Sequence, residues 1–250
     1  MDAFQRLSRA IAVAVSLCAL SGCGESEDDK KFEDADYHYQ LANTAFYEKQ
    51  IHGALSELQR CLELDPKHPD AHHLMGFIYF GRKEYALAES HFRKALEIRG
   101  AFNEARANLG AVLLASKRWK DAIETLEPLL QVTLYPTPWL IHNNIAFAHQ
   151  HLRQHAVALK HYRQAVFLNP QFCLAYNNLG TLYRELKQPD MAKDYLGRAI
   201  TRCKTYQEPH FHMGELYEQE GRLEDARTAY AQCYKTGPES PLGRRCRVRM

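Results

Sequence analysis

One recurrence constrains this chain more than any other feature. Gly76, Gly110, Gly180 and Gly214 are separated by 34, 70 and 34 residues, and Ala146 stands in the slot the middle interval skips. Twelve residues beyond each of the five lies an alanine: Ala88, Ala122, Ala158, Ala192 and Ala226. Seven further on come Ala95, Leu129, Ala165, Ala199 and Cys233, and an earlier copy reads Ala42, Ala54, Cys61. Pro66, Pro170 and Pro238 close three of the copies. A fixed period of this length marks a repeat architecture, in which one unit cannot bury its apolar face alone and stacks on the next. Glycine (13) and proline (10) are sparse among 250 residues and strand-like alternation is hard to find, so the repeating unit is helical.

Small residues at positions 8, 20 and 27 of a 34-residue unit, with aromatics at 11 (Tyr79, Tyr183, Tyr217) and 24 (Phe92, Tyr162, Tyr230), resemble the tetratricopeptide (TPR) repeat. Six copies are read: 35–68, 69–102, 103–136, 139–172, 173–206 and 207–240. The resemblance implies an all-α superhelix, an α-solenoid of helix-turn-helix pairs. The physical logic agrees: two antiparallel helices approach closely only where small side chains face each other, and large ones fill the spaces between. Residues 241–250 are expected to cap the last repeat, with Arg244, Arg245, Arg247 and Arg249 keeping that end soluble. The prolines of Leu134-Tyr135-Pro136-Thr137-Pro138 break the helical phase, which predicts a joint between repeats 1–3 and 4–6.

The N-terminus has the layout of a secretory signal. Arg6 and Arg9 precede the apolar stretch 11–20, and Ser21-Gly22-Cys23 follows. That ending resembles the bacterial lipobox, which implies removal of residues 1–22 and acylation of Cys23; position 24 is Gly rather than Asp. In Gram-negative bacteria this implies an outer-membrane lipoprotein facing the periplasm. Residues 23–34, rich in Glu, Asp and Lys, read as a polar tether. No run approaches 18 apolar residues, so the protein would be held at a membrane without crossing it.

Nothing in the sequence points to catalysis. No Gly-x-Ser-x-Gly, phosphate-cradling glycine loop or dinucleotide fingerprint occurs, and a net charge of +2 gives no pull toward nucleic acid. Thirteen histidines invite a metal hypothesis, but zinc needs three or four convergent ligands and no His-Glu-x-x-His is present. His38, His72, His142 and His210 recur at position 4 of four repeats and read as packing residues, so neither a metal nor a cofactor is expected beyond the lipid on Cys23. Cys173 opens the first helix of repeat five and Cys203 follows its second. Antiparallel packing brings those ends together, so a disulfide is expected in an oxidising periplasm.

Function should then sit in the concave groove. In a TPR superhelix it is lined by positions 5, 9 and 12 of each first helix, whose spacing makes one stripe. These are aromatic or apolar in repeats 1–3 (Tyr39, Phe46, Phe77, Phe80 and Leu114, with Tyr47 adjoining) and mostly polar in repeats 4–6 (Asn143, Phe147, Gln150, Asn177, Arg184, Glu215, Glu218). The first set reads as the surface for an apolar partner helix.

A lipobox followed by six TPR units and little else, with Asn108-Leu109-Gly110 and the Leu134-Tyr135-Pro136 insertion ahead of Asn144, resembles the type IV pilus pilotins, the PilF/PilW/Tgl family of outer-membrane lipoproteins. Within it the chain looks most like the Tgl members of social gliding bacteria. The resemblance implies a non-enzymatic factor that binds secretin monomers and promotes their multimerisation and outer-membrane insertion, with no nucleic acid or small-molecule substrate. The competing expectation is a lipoprotein scaffold for another envelope complex, in polysaccharide export or cell division.

Overall fold

Each 34-residue copy folds into two antiparallel helices. The computed structural model describes residues 27–250, so the signal segment 1–22 and Cys23 lie outside the described residues. Thirteen α-helices and no strands occur among those residues, in an all-helical TPR fold. They are α1 (Glu27–Tyr47), α2 (Ile51–Leu64), α3 (Pro69–Gly81), α4 (Tyr85–Ile98), α5 (Asn103–Ala115) and α6 (Trp119–Leu126). After these come α7 (Pro138–His151), α8 (His155–Leu168), α9 (Cys173–Glu185), α10 (Pro189–Arg202), α11 (Glu208–Gln219), α12 (Leu223–Thr236) and α13 (Pro241–Val248). No described helix is long and apolar enough to cross a membrane. The chain divides into two compact units at Met75/Gly76, inside α3.

In the first unit α1 packs on α2 and buries Ala35, Ala42, Ala54, Leu58 and Cys61. The stretch read as a tether is helical from Glu27, and its side chains from Lys30 to Asp34 are exposed. His68 starts α3: its Nδ1 accepts the Ala71 N–H at 3.0 Å, which leaves Nε2 to donate to Asp36 at 2.9 Å. Cys61 is the only free cysteine among the described residues, and burial pushes its thiol up to about 12.

In the second unit the period seen in the sequence becomes a set of close approaches. A Cβ on Gly76 would meet the Phe92 ring at 2.8 Å; on Gly180 it would meet Leu196 at 2.6 Å, and on Gly214 Tyr230 at 2.6 Å. Gly110 makes the same approach to Leu126. Position 8 is therefore small because position 24 fills it, and all of these partners are fully buried.

The expected joint between repeats three and four is replaced by a continuous core. Pro128 ends α6 early, the chain continues as a 3₁₀ turn over Glu127–Gln131, and Leu126, Leu129, Ile141 and Ile145 pack together under Tyr135. Two disulfides lie near the C-terminus. Cys173–Cys203 ties the two helices of repeat five, and Cys233–Cys246 fastens α13 onto α12. The basic tail is thus a docked helix. Ser240 Oγ accepts the Gly243 N–H at 2.8 Å and donates to Gln207 at 2.7 Å.

The turn between the two helices of every repeat has the same backbone form. In repeat three Lys117 N–H bonds Leu114 O and Arg118 N–H bonds Leu113 O, the two closures of a Schellman motif, and the pattern recurs in all six. The motif needs one residue at positive φ, filled by Lys49 (64°), Lys83 (63°), Lys117 (59°), Arg153 (61°), Lys187 (57°) and Gly221 (74°).

Candidate functional site

A cavity of about 770 Å³ opens where repeats three, four and five meet. Its apolar wall is Leu114 at the end of α5, Trp119 at the start of α6, Phe147 on α7 and Leu174 on α9. Trp119 lies flat on His151, with ring centroids 4.2 Å apart and planes within 7°, and Phe147 sets its edge against both rings. Burial lowers the His151 pKa, with Lys117 and Arg153 adding to the effect against the pull of Glu185. The neutral imidazole stacks as an aromatic ring.

The polar wall is a line of amides. Asn143, only 2% exposed, accepts from Asn178 Nδ2 at 2.9 Å and donates to Asn144 Oδ1 at 3.3 Å. Both groups that Asn143 can offer are thereby used. Asn178 Oδ1 and Asn144 Nδ2 make no hydrogen bond with the described residues, and both residues line the cavity. Next along the groove, Gln150 accepts from the buried Tyr162 hydroxyl at 2.9 Å and donates to Glu185 at 2.8 Å.

Farther along, repeat six closes the groove with charge. Arg184 pairs with Glu215, His212 adds a 3.1 Å contact, and Arg249 reaches Glu218 at 3.2 Å and the Tyr230 hydroxyl at 2.9 Å. Burial alone would raise the Glu215 pKa, but the hydrogen bonds from His212 and Arg184 hold it down at about 2. Phe211 is covered by the guanidinium groups of Arg245, 4.6 Å from its ring centre, and Arg249, at 5.5 Å.

The groove residues read from the sequence fall in different surroundings. In the first unit Tyr39 lies 4.9 Å from the His68 ring, Phe46 packs on the edge of Tyr47, and Tyr47 is 77% exposed. In the second, Phe77 is 43% exposed, while Phe80 and Leu114 flank the core formed by Phe92, Leu109 and Leu113. Of the six, Leu114 lines the large cavity. Trp119, His151 and Leu174 were missed because they stand outside the 5, 9, 12 register. Phe147 was read as part of a polar half, yet it forms the apolar wall.

Three of the histidines at position 4 are held by hydrogen bonds. His38 bonds Glu57 at 2.6 Å, His72 bonds Pro66 O at 3.1 Å, and His142 shares a 2.9 Å Nδ1···Nδ1 bond with His161. Burial first, then neighbouring His142, His149 and Lys160, lower His161 to about 4. No group of three or more His, Cys, Asp or Glu among the described residues is placed to hold a metal ion.

Comparison with known proteins identifies the repeat and adds a direction. Four models described as tetratricopeptide repeat match residues 39–103, 79–133, 173–206 and 208–238, together more than half of the chain. Type IV pilus assembly protein PilF of Pseudomonas aeruginosa is 28% identical over 185 residues, spanning 71% of this chain and 73% of that protein. The crystal structure of PilW, a widely conserved type IV pilus biogenesis factor, superposes with a TM-score of 0.74 at 22% identity, covering 84% of this chain and 97% of that one. The structure of Pseudomonas aeruginosa PilF superposes with a TM-score of 0.69 at 20% identity, over 88% and 100%. The two superpositions speak for the fold, and the sequence likeness runs along most of the chain. The chain belongs to the tetratricopeptide repeat proteins and is similar to the type IV pilus biogenesis factors PilF and PilW.

Proposed function

We propose that this chain is a non-enzymatic assembly factor of a type IV pilus machine. In this reading it is an outer-membrane lipoprotein, acylated at Cys23 and facing the periplasm. It holds monomers of the pilus secretin through its groove and favours their multimerisation and insertion. Pilus extrusion and surface motility depend on it, as the likeness to the Tgl members implied. The observation that carries the reading is the similarity to PilF across 71% of the chain. The cavity of repeats three to five supports it as a place for a partner's apolar side chains, and no group transfer is asked of any residue. A lipid anchor would add effective concentration, because it confines the binder to the membrane that receives the client.

The test is made in cells. Cys23→Ala should remove the protein from outer-membrane fractions and leave the secretin monomeric. Full secretin multimers alongside a mislocalised or absent chain would sink the proposal.

A further inference from the structure

The backbone slot at positive φ in each turn favours glycine, since a Cβ there crowds the following carbonyl. Only repeat six uses glycine, at Gly221. The other turns of the second unit place Lys83, Lys117, Arg153 and Lys187 there, all exposed and none in an ion pair with the described residues. Other cations of the same turns are paired: Arg82 with Glu84, Arg118 with Asp121 and Glu89, Arg222 with Asp225. A strained slot filled repeatedly by an unpaired cation points to a role for the side chain.

Their placement along the groove says what that role is. Lys117 lines the large cavity of about 770 Å³. Arg153, one repeat on, lines a second of about 280 Å³ with Gln150 and Glu185. Lys187, one repeat further, lines a third of about 260 Å³ with Leu216. Three successive turns therefore put one free cation each on the rim of a concavity.

We propose that this rim selects a helical segment with an acidic flank, whose apolar face enters the cavity of Leu114, Trp119 and Phe147; this rests on the groove being the binding site. The first helices of neighbouring repeats touch directly, α5 with α7 and α7 with α9, which sets them about 8–10 Å apart. Seven residues of an α-helix rise about 10.5 Å in nearly two whole turns, so carboxylates at i, i+7 and i+14 stay on one flank and meet three cations. An extended chain covers the same step in about three residues, and its side chains would then alternate between faces. The spacing thus favours a helix over a strand, and the concave setting favours a polypeptide over a flat lipid surface.

A pair of synthetic 18-residue peptides tests this, each with a leucine face and carrying at i, i+7 and i+14 either Glu or Lys. Titrated into the purified full-length chain at low salt, the Glu peptide should bind at least about tenfold more tightly. The difference should shrink above roughly 0.15 M salt, where the screening length falls to about 8 Å. Lys117→Glu with Arg153→Glu and Lys187→Glu should reverse the preference. The triple glycine variant should lose the preference while melting no lower than the parent, because glycine suits the slot. Equal affinity for the two peptides, binding of neither, or a preference that survives the glycine variant would overturn the proposal. So would phosphatidylglycerol vesicles competing out the Glu peptide through the same three residues. Purified secretin run in parallel separates the two claims: an intact Glu preference with no secretin binding removes the partner's identity alone.

Discussion

Repeat four and repeat six both gather aromatic rings beside polar groove residues, and they finish them differently. At repeat six Phe211 is only 3% exposed, covered by Arg245 of α13 and Arg249 at its end, while Arg184 pairs with Glu215, which His212 also contacts. At repeat four Phe147 and His151 stack with Trp119 of repeat three and leave a cavity open beside them. The chain supplies its own lid at the C-terminal end of this unit and none at its middle. A ring cluster already capped by guanidinium groups has little left to offer a partner, whereas an open one with spare amide groups does.

The largest effect should come from truncating the open cluster. Trp119→Ala should weaken partner binding by about 2–4 kcal/mol, roughly 30- to 1000-fold, with melting temperature and abundance held near the parent. Phe211→Ala should instead lower stability and spare binding. If the two variants behave alike, the contrast between open and closed clusters is wrong.

Opening the closed end is the next largest change. Cys233→Ser with Cys246→Ser removes a link across 13 residues, which in the chain-entropy picture is worth about 3 kcal/mol. Thermal unfolding should fall accordingly, and an apolar dye should find Phe211. A variant that melts unchanged would mean α13 is held by its arginines alone.

Acid should loosen the two repeats in a fixed order. His161 sits at about 4 against an ordinary 6.5, so its neutral form stabilises repeat four above pH 6.5 and that stability is lost as pH falls toward 4. Glu215 sits at about 2 against 4.5, so its contribution is whole above pH 4.5 and drains away toward pH 2. Each is on the order of 2 kcal/mol after allowance for solvent screening. Hydrogen exchange across a pH series should show α7 and α8 loosening before α11; the reverse order would contradict the assignment.

The smallest effect is a gain. Lys83→Gly relieves the positive-φ slot at a turn lining none of the three groove cavities. It should stabilise by about 0.5–1 kcal/mol without changing partner affinity, as read by melting and titration.

What was legible in the sequence followed the period. Gly76, Gly110, Gly180 and Gly214 announced helix contacts because each gives up a Cβ to a ring or leucine sixteen residues later, a fixed offset that a linear reading can find. The groove register was legible for the same reason, and it located Asn143, Phe147 and Gln150. Their burial was not, because the amides are satisfied by residues 35 positions away, Asn178 and Glu185. Trp119 and His151 face each other across a turn from outside that register; a large aromatic beside the Lys117-Arg118 turn was the signal available. The helix at the C-terminus was hidden by Arg244, Arg245, Arg247 and Arg249, and Cys246 made sense only beside Cys233.

Cys61 carries one further consequence. Four of the five described cysteines are already bonded in two pairs, so among the described residues Cys61 is the thiol that could attack them and scramble the connectivity during oxidative folding. Burial raises the thiol to about 12, which disfavours the thiolate that exchange requires, and the sulfur is shut beneath α1. Once repeat one has folded, exchange from that site stops. Folding of repeat one thus withdraws the thiol that could disturb the Cys173–Cys203 and Cys233–Cys246 pairs.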